Sequence, residues 1–342
     1  MPVKNGSSPA TLHDVAKLAG VSYQTVSRVV NKMSKVAPHT LEKVNQAIAE
    51  LNYQPNRAAR SLVTGRSHAI HVLAFDVFNL RVIPHMERVA AEKGYQLRIT
   101  ILRQAYTITD MRQKLAEIVS SQVDGLVLTM PWSTVPYQEL LDLSGGIPMV
   151  IVGCNLGPET NSVLIDQRAG ARLAVQHLLD LGHRQFAEIT GPIDQYDDAR
   201  IRHETYQEIL RINNLEPGTS EAGNFTMQGG FEAMNRLIAQ NRPFTALVCA
   251  DDETALGAIR AAHEAGLKVP RDLSVVGFDN LDFTAFCTPT LTTIQQDYHA
   301  LGMQSAQHLL SLIQDPGAAA HHRIIYPKLI VRQSTATPPA KK

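Results

Sequence analysis

The chain has 342 residues, of which 44% are hydrophobic, and its formal net charge is zero. This length predicts two or three domains, and the apolar fraction excludes a largely disordered chain. Three cysteines without CxxC spacing argue against a disulfide framework or a zinc ribbon. No apolar run approaches the ~18 residues that span a bilayer, and the first residues contain no apolar signal core. We therefore expect a cytoplasmic protein that is neither exported nor held in a membrane.

The zero net charge hides an uneven distribution along the chain. Residues 1–66 carry nine lysines and arginines against three acids, a net charge of +6, so the remaining residues carry −6. A basic segment joined to an acidic body favours contact with a polyanion. A solvated charged surface explains the same composition, and charge alone leaves both interpretations open.

Residues 11–53 are predicted to form three short helices. Each helix begins at a capping side chain or a proline, namely Thr11 with Asp14, Ser22, and Pro38. Gly20 is expected to end the first helix. Apolar residues at helical spacing predict one buried face on each helix: Leu12, Val15, Ala16, Ala19, Val26, Val29, Val30, Leu41, Val44, Ile48 and Leu51. A domain of three such helices is too small to hold an enzyme pocket. Residues 54–67 are predicted to be a linker whose single helical turn orders only against a partner.

From residue 69 onward, apolar runs alternate with helical periodicity. The runs with strand character are residues 70–75, 97–102, 125–129, 149–152, 162–165, 186–189, 246–250 and 274–278. The helical stretches between them include residues 83–93, 111–120, 169–181, 206–213 and 253–265. This alternation predicts doubly wound parallel α/β sheets, and its length favours two lobes. Ligands of such sheets bind beyond the carboxyl ends of the strands.

A helix, a glycine turn and a second helix form the arrangement of a helix-turn-helix DNA-binding motif. The segments TLHDVAKLAGVSYQTVSRVVN (Thr11–Asn31) and KVNQAIAELNYQPNRAARSL (Lys43–Leu62) closely resemble the head of LacI/GalR-family transcriptional repressors, most of all the lactose-responsive member. The resemblance continues to about residue 334. It implies an N-terminal helix-turn-helix domain, a hinge helix, and a two-lobed α/β core like that of periplasmic binding proteins. The implied bounds are 1–55 for the head, 56–67 for the hinge, 68–165 plus 296–327 for the N-lobe, 166–295 plus 328–336 for the C-lobe, and 337–342 for a disordered tail.

The resemblance assigns base reading in the major groove to Tyr23, Gln24 and Arg28, near the start of the second helix. Their chemistry agrees, because arginine can bind guanine and glutamine can bind adenine through paired hydrogen bonds. An ordinary solvated helix face is the alternative. Contacts to the DNA backbone are expected from four further polar residues, any of which could instead only cap a helix: Ser22, Thr25, Ser27 and Asn31.

The linker also matches the family. The resemblance implies that it folds into a hinge helix on palindromic operator DNA and enters the minor groove. There Leu62 is expected to wedge into a base step, and Ala59 to permit close approach. An ordinary core role is the alternative for Leu62.

In the core, the resemblance implies a small effector, a sugar or sugar derivative, bound between the lobes. The matched positions are Arg202, Phe225, Asp251, Asp279, Gln296 and Tyr298. The guanidinium can fork onto ligand oxygens, the carboxylates can accept from hydroxyls, and the phenyl ring can cover a sugar ring. Structural alternatives are a surface ion pair for Arg202, plain core for Phe225, and a helix cap for Asp251 or Asp252.

One matched position departs from the family pattern. Gly153 stands where the lactose-responsive member has a ligand-binding aspartate, and residues 75–83 form a shorter stretch than in that member. This departure argues against a simple transfer of lactose-type specificity. Asp76 and Asn155 are candidates to compensate.

A homodimer is expected, because a palindromic operator mirrors a two-fold protein. The final residues TATPPAKK show no counterpart of a leucine-heptad tetramerisation helix, which favours a dimer over a tetramer. Effector binding is expected to shift the lobes and thereby change operator affinity, by induction or by corepression.

Two other classes of protein are disfavoured. An enzyme is disfavoured because GxSxG, HExxH and P-loop motifs are missing from the sequence, and an exported sugar-binding protein is disfavoured by the DNA-reading head. No cofactor and no metal ion are expected.

Overall fold

The computed structural model describes residues 10–30, 36–53, 66–75, 78–102, 108–133 and 135–340. The chain divides into two units, Met1–Ser67 and His68–Lys342. The predicted hinge helix with Ala59 and Leu62 lies outside the described residues, as do Asn31 and Asp76. No helix in the described ranges is long and apolar enough to cross a membrane.

The first unit contains the three predicted helices: α1 (Leu12–Ala19), α2 (Tyr23–Val30) and α3 (Pro38–Glu50). The predicted capping box on α1 is confirmed, since the Asp14 carboxylate accepts a hydrogen bond from the Thr11 N–H at 2.8 Å. Val15, Val26 and Val44 are fully buried where the helices meet. The prediction that Leu41 is buried is wrong. Its side chain is 42% exposed, because it lies at the edge of the α3 face centred on Val44 and Ala47.

The second unit contains two sheets, and the first is entirely parallel with strand order β11-β5-β4-β3-β1-β2. Its strands are β1 (Ala69–Phe75), β2 (Gln96–Leu102), β3 (Gly125–Thr129), β4 (Met149–Val152), β5 (Ser162–Ile165) and β11 (His322–Ile325). The flanking helices are α4 (Ile83–Glu92), α5 (Ile108–Ser120), α6 (Tyr137–Ser144) and α11 (Tyr298–Gln314). Helices α4 and α11 bury one face of the sheet and α5 and α6 the other, which makes this lobe doubly wound.

The second sheet has strand order β12-β10-β9-β8-β6-β7, with only the β12 edge antiparallel. Its strands are β6 (Phe186–Thr190), β7 (Ser220–Ala222), β8 (Ala246–Cys249), β9 (Ser274–Asp279), β10 (Thr292–Gln295) and β12 (Lys328–Ile330). Its helices are α7 (Gln167–Asp180), α8 (Asp197–Ile212), α9 (Met227–Ala239) and α10 (Asp252–Glu264). Helices α7 and α8 cover one face, and α9 and α10 cover the other. The predicted two-lobed, doubly wound α/β core is confirmed.

The chain passes between the lobes three times, after β5, after β10 and after β11. Strands β5 and β10 run parallel to their neighbours within their sheets. The carboxyl ends of both sheets therefore meet at the boundary between the lobes, which is where ligands of open α/β sheets bind.

The sequence did not predict every element. It missed β7 and β10–β12, which are only three or four residues long. Helix α8 begins at Asp197, nine residues before its predicted start at residue 206. Its first two turns are rich in charged residues, and these obscure the apolar periodicity that marks a helix.

Close packing of α9 against α10 predicts that a larger side chain at Gly230 destabilises the second lobe. A Cβ atom at Gly230 would overlap the backbone carbonyl of Thr254, which cannot move aside as a side-chain tip can. We expect Gly230→Ala to lower the free energy of unfolding by about 1–3 kcal/mol, measured by urea denaturation of the full chain. Gly317→Ala is the control, because the nearest atom to its Cβ lies 3.7 Å away. Equal midpoints for the two variants would contradict this account of the helix contact.

Candidate functional site

The three predicted base-reading residues lie on the solvent-exposed face of α2. Tyr23, Gln24 and Arg28 are all exposed, whereas Val26 and Val29 of the same helix are buried. The apolar face of the helix packs into the core of this unit, so the polar side chains on the opposite face remain exposed to solvent. The ring of Tyr23 lies 4.7 Å from that of His13 on α1.

The predicted DNA-backbone residues in the described part of this unit lie near the start of α2. Ser22 accepts a hydrogen bond from the Thr25 N–H at 3.1 Å, and the two hydroxyls are 2.9 Å apart. Ser22 thus caps the helix, which fixes its position beside the exposed face. Ser27 is half-buried on the same helix.

In the core, the side chain of Gln167 links the polar residues at the lobe boundary. Gln167 is the first residue of α7, directly after the crossover from β5. Its amide nitrogen donates to Gln296 Oε1 at 2.8 Å and to Asp198 Oδ2 at 3.2 Å. Its amide oxygen accepts from Arg202 Nε at 2.9 Å. Sequence reasoning missed both Gln167 and Asp198, although Asp198 begins the segment DARIR that contains Arg202.

Gln296 extends this network to the carboxyl end of β9. Its amide nitrogen donates to Asp279 Oδ1 and lies 2.9 Å from the Tyr298 hydroxyl, which itself lies 3.2 Å from the same carboxylate oxygen. Four of the six predicted effector residues are thereby brought into one connected network: Arg202, Asp279, Gln296 and Tyr298.

Arg202 is buried, not part of a surface ion pair, so that alternative is wrong. The side chain projects from α8, donates through Nη1 to the carbonyl of Ala250, and stacks with its guanidinium carbon 3.8 Å from the centroid of the Phe278 ring. Stacking on an aromatic face holds the planar guanidinium in one orientation. Arg202 is therefore held in one orientation, with its Nε bonded to Gln167 and its Nη1 to Ala250.

Asp279 offers an acceptor oxygen that the protein leaves without a hydrogen bond. It ends β9 with φ of 114°, a region that non-glycine residues rarely adopt and that is often found at functional sites. Its Oδ2 atom is buried without a hydrogen bond in the described structure and lies 3.9 Å from Arg81 Nη1. Burial raises the pKa of this carboxyl well above its usual value, although the positive charge of Arg202 opposes the shift.

The helix-cap alternative for Asp251 is confirmed. Its Oδ1 atom caps α10 by accepting the Thr254 N–H at 2.7 Å, while Oδ2 is buried without a hydrogen bond in the described structure. The neighbouring Asp252 uses both oxygens, one for the Thr293 hydroxyl and one for the Leu281 N–H. Burial raises the pKa of Asp252 to about 7. Asp252 is structural, whereas Asp251 keeps one oxygen for a further partner.

Phe225 stands apart from the polar network. Its backbone adopts φ of 55°, and its half-buried ring meets the ring of Tyr196 edge-on, with centroids 5.5 Å apart. Tyr196 directly precedes Asp197, whose backbone N–H donates across the lobe boundary to the carbonyl of Pro131 at 2.8 Å. The aromatic pair therefore lies beside the place where the lobes touch.

A cavity of about 300 Å³ opens between the lobes next to this network. Its lining includes Gly153, Asn155 and Leu164 from the N-lobe, and Gln167, Asp198 and Ile201 from the C-lobe. Asn155, a candidate to replace the aspartate missing at position 153, also accepts the Gly157 N–H at 2.9 Å. Burial raises the pKa of Asp198 to about 6, with Arg202 opposing the shift.

This arrangement suits binding better than catalysis. Burial raises the pKa of the Cys154 thiol at the cavity wall to about 12, which makes it a poor nucleophile. The carboxylates, the amides and the guanidinium form a set of fixed acceptors and donors of the kind that hold a polar ligand.

Comparison with known proteins gives two family matches. Residues 11–56 match the bacterial regulatory proteins of the lacI family, and residues 175–335 match the periplasmic binding protein-like domain. The chain is 33% identical to the lactose operon repressor of Escherichia coli K12, over 97% of this chain and 92% of that protein. It is 36% identical to the HTH-type transcriptional repressor PurR of Haemophilus influenzae Rd, over 95% of this chain and 98% of that protein.

Solved structures agree with these matches. The lac repressor dimer bound to operator and the anti-inducer ONPF superposes with a TM-score of 0.90 at 32% identity, covering 96% of this chain and all of that one. The complex of the transcriptional regulator CelR with cellobiose has a TM-score of 0.71 at 28% identity, covering 95% of this chain and 99% of that one.

The raised pKa of Asp198 predicts a specific pH dependence of stability. The pKa of this carboxyl is about 6 in the folded protein, against an ordinary value of 3.8, so the folded state binds the proton more tightly than the unfolded state does. The stability that this proton contributes is fully present below pH 3.8 and is lost as the pH rises through 6. Between pH 4 and pH 7, we expect the wild type to lose about 1–3 kcal/mol of unfolding free energy relative to Asp198→Asn. Denaturant titrations across this range measure the difference, with the exposed Asp194→Asn as control. Parallel pH profiles for wild type and Asp198→Asn would show that burial does not shift this carboxyl.

Proposed function

The chain belongs to the lacI family of bacterial regulatory proteins, and from that membership we propose that a small carbohydrate-like effector, bound between its two core lobes, controls its affinity for operator DNA. The curated relatives are DNA-binding transcriptional repressors and not enzymes, and this chain is a repressor of the same kind. A repressor acts on chromosomal DNA, so we place the protein in the bacterial cytoplasm.

For operator recognition, we propose that Tyr23, Gln24 and Arg28 read bases. Their exposure on α2 supports this assignment, as does the net charge of +6 on residues 1–66, which favours DNA. Ser22, Thr25, Ser27 and Asn31 position the helix on phosphates. Ala59 and Leu62 contact the minor groove through the hinge, on the strength of the sequence match alone.

For assembly, we propose a homodimer on a palindromic operator. The lac repressor that superposes on this chain is a dimer bound to its operator, and two heads supply the two half-site contacts that a palindrome requires.

The proposed domain bounds are residues 1–55 for the head, 56–67 for the hinge, 68–165 with 296–327 for the N-lobe, 166–295 with 328–336 for the C-lobe, and 337–342 for the tail. The six-stranded sheets support the division of the core.

The reading role of Arg28 is testable with DNA of two kinds. We expect Arg28→Ala to weaken binding to a lac-like palindrome by about 1–3 kcal/mol and to affect scrambled DNA much less, because bidentate base contacts are lost only on the specific site. Fluorescence anisotropy at fixed salt measures both affinities. Lys17→Ala on α1 is the control, since loss of a general positive charge weakens both complexes alike. Equal losses on the two DNAs for Arg28→Ala would remove it from the reading set.

The effector proposal rests above all on the carboxylates of Asp251 and Asp279, each of which has one oxygen, Oδ2, buried without a hydrogen bond in the described structure. The Oδ2 atom of Asp279 lies 3.9 Å from Arg81 Nη1. Burying an acceptor oxygen without a hydrogen bond costs free energy unless a ligand supplies a donor. The hydroxyl groups of a sugar are hydrogen-bond donors that can do so. Arg202 adds a fixed donor fork, Gln296 and Tyr298 orient Asp279, and Phe225 offers an aromatic face. Similar structures hold carbohydrates: CelR with cellobiose and a LacI-family regulator of Enterococcus faecium with ribose.

A purine is the second candidate effector. The chain is 36% identical to a PurR repressor and 33% identical to the lactose operon repressor. Overall similarity therefore favours a purine effector as strongly as it favours a sugar. A thermal-shift screen of the full chain against sugars, sugar phosphates and nucleobases separates the two classes, since a ligand at 100 times its Kd stabilises the fold by about 2.7 kcal/mol. Stabilisation by a nucleobase and by no sugar would overturn the carbohydrate proposal.

Coupling between effector and operator follows from contacts that cross the lobe boundary. Asp197 donates its N–H to Pro131 of the other lobe, and Tyr298 at the start of α11 hydrogen-bonds Asp279 at the end of β9. A ligand that binds Asp279 changes these contacts and so favours one arrangement of the lobes over the other. The resulting change in operator affinity is reciprocal with the change in effector affinity.

We expect Arg202→Lys and Asp279→Asn each to weaken effector binding roughly ten- to a hundredfold, because each removes part of a charge-assisted hydrogen bond. Lysine keeps the charge but lacks the planar fork. The readout is operator affinity with and without the sugar that gives the largest thermal shift. Arg211→Lys is the matched control, because Arg211 is exposed on the same helix and pairs with Gln207. A normal effector response in both cleft variants would mean that the site lies elsewhere.

A further inference from the structure

One strand of the C-lobe sheet carries an acidic side chain on the face that its helices cover. Alternate residues of β6 point to opposite faces of the sheet, and Phe186 packs into the apolar layer beneath α7 and α8. Glu188, two positions along, points into the same layer, where its side chain is only 5% exposed. A carboxylate buried in apolar surroundings costs free energy unless it is paired. Neither the proposed operator contacts nor the proposed effector contacts use this residue.

Glu188 is paired with a histidine on α8. Its Oε2 atom accepts a hydrogen bond from the Ser220 hydroxyl of β7 at 2.8 Å, and the same atom lies 2.7 Å from His203 Nδ1. The imidazole is largely buried as well, with its side chain 17% exposed. These three side chains join α8 to the two strands at one edge of the C-lobe sheet. The protonation state of His203 therefore decides whether this junction is a neutral hydrogen bond or an ion pair.

The second ring nitrogen of His203 shows where the ring proton lies. His203 Nε2 is 2.8 Å from the Gln207 amide nitrogen, and Gln207 Oε1 accepts a hydrogen bond from Arg211 Nη2 at 2.7 Å. A guanidinium only donates, so it orients the amide with its oxygen toward Arg211 and its nitrogen toward the histidine. The amide nitrogen also only donates, which makes Nε2 the acceptor. The ring proton then lies on Nδ1, and the ring is neutral in this arrangement.

The surrounding charges act on the ring in both directions. The hydrogen bond to Glu188 raises the pKa of His203, and burial opposes this shift. The negative charges of Glu188 and Glu204 also raise it, whereas the positive charge of Arg211 lowers it. In the described structure, the charges that shift this pKa thus come from β6 and from α8 itself. Burial raises the pKa of Glu188, and its hydrogen bonds to His203 and Ser220 oppose that shift. The carboxylate attracts a second proton to the ring, while the amide at the other nitrogen stabilises the neutral form.

We propose that Glu188, His203 and Gln207 form a proton-operated switch between α8 and the C-lobe sheet. A proton from solvent adds to His203 Nε2, and the Gln207 amide rotates so that its oxygen accepts this new N–H. Arg211 loses its acceptor and turns to solvent, while His203 and Glu188 become an ion pair that attaches α8 more firmly to β6. Because α8 also carries Arg202, the switch acts on the proposed effector contacts, and this last consequence alone rests on the function proposed above.

Hydrogen exchange measures how firmly α8 is attached at different pH. Because the pKa of His203 is raised in the folded protein, the stability that its second proton contributes is fully present below the ordinary value of 6.5 and is lost as the pH rises through the raised pKa. We expect the α8 amides of the full chain, corrected for intrinsic exchange, to exchange about threefold more slowly at pH 6 than at pH 8.5. Asp198 on the same helix has a pKa of about 6, so Glu188→Gln, which keeps Asp198, is the reference. A pH effect of equal size in both proteins overturns the switch.

The position of the proton is measured by ¹⁵N NMR of the full chain with labelled histidine and no added effector. Loss of one signal in His203→Asn identifies this residue. At pH 8.5 we expect the pattern of a neutral ring protonated on Nδ1, and on acidification the pattern of the charged ring, with a midpoint above 6.5. A proton on Nε2 at pH 8.5, or a midpoint at or below 6.5, overturns the switch. Because no effector is present, these outcomes are independent of the proposed function.

Two substitutions are expected to move this midpoint in opposite directions. Gln207→Met removes the amide that stabilises the neutral ring, so we expect His203 to bind its second proton about threefold more tightly, a rise of about 0.5 in the midpoint. Glu188→Gln removes the anion and is expected to lower the midpoint below 6.5. Gln176→Met is the matched control and leaves the midpoint unchanged, because Gln176 is exposed on α7 and bonds the side chain four positions on. If a thermal melt shows that Glu188→Gln does not fold, Gln207→Met alone decides. No shift in Gln207→Met, or shifts in the same direction, overturn the proposal.

Discussion

The hydrogen bonds of one buried amide, that of Gln167, connect the polar side chains at the boundary between the core lobes. Gln167 follows the first crossover between the lobes and Gln296 follows the second, and their side chains are bonded to each other. The remaining bonds of these two amides orient Arg202 and Asp279. Because an amide both donates and accepts, it can join a cation to an anion without adding a charge. The relative placement of the two charged groups thus depends on the geometry of the crossovers.

The same region concentrates buried and partly buried carboxylates. Burial raises the pKa of Asp198, Asp251, Asp252 and Asp279, and the positive charge of Arg202 partly opposes this for three of them. Buried charges cost free energy unless hydrogen bonds or counter-charges compensate. Asp252 is compensated by hydrogen bonds within the protein, whereas Asp251 and Asp279 each have an oxygen without a hydrogen bond in the described structure, that of Asp279 lying 3.9 Å from Arg81 Nη1. In the function proposed here, the hydroxyl donors of the effector relieve this cost, so its affinity and its specificity come from the same groups.

The amino-acid sequence predicted those parts of the protein whose signals are local. The capping box of Thr11 and Asp14, the amphipathic helices of the head, and the alternation of strands and helices each depend on a few neighbouring residues, and all are confirmed. The family was also identified from continuous motifs. Leu41 was wrongly expected in the core, because helical spacing gives the angle of a side chain but not the edge of the packed face.

Contacts between distant residues were decided only by the tertiary structure. Gln167 and Gln296 are 129 positions apart, so no local pattern marks Gln167 as the residue that connects Arg202 to Asp279. The early start of α8, which places Asp198 at the cavity, was hidden by charged side chains whose role appears only at the lobe boundary. The sequence by itself determined most of the longer elements, the family and most of the residue types in the candidate site. Only the fold decided which carboxylate oxygens lack a hydrogen bond in the described structure and where space remains between the lobes, because both depend on how two sheets meet across their crossovers.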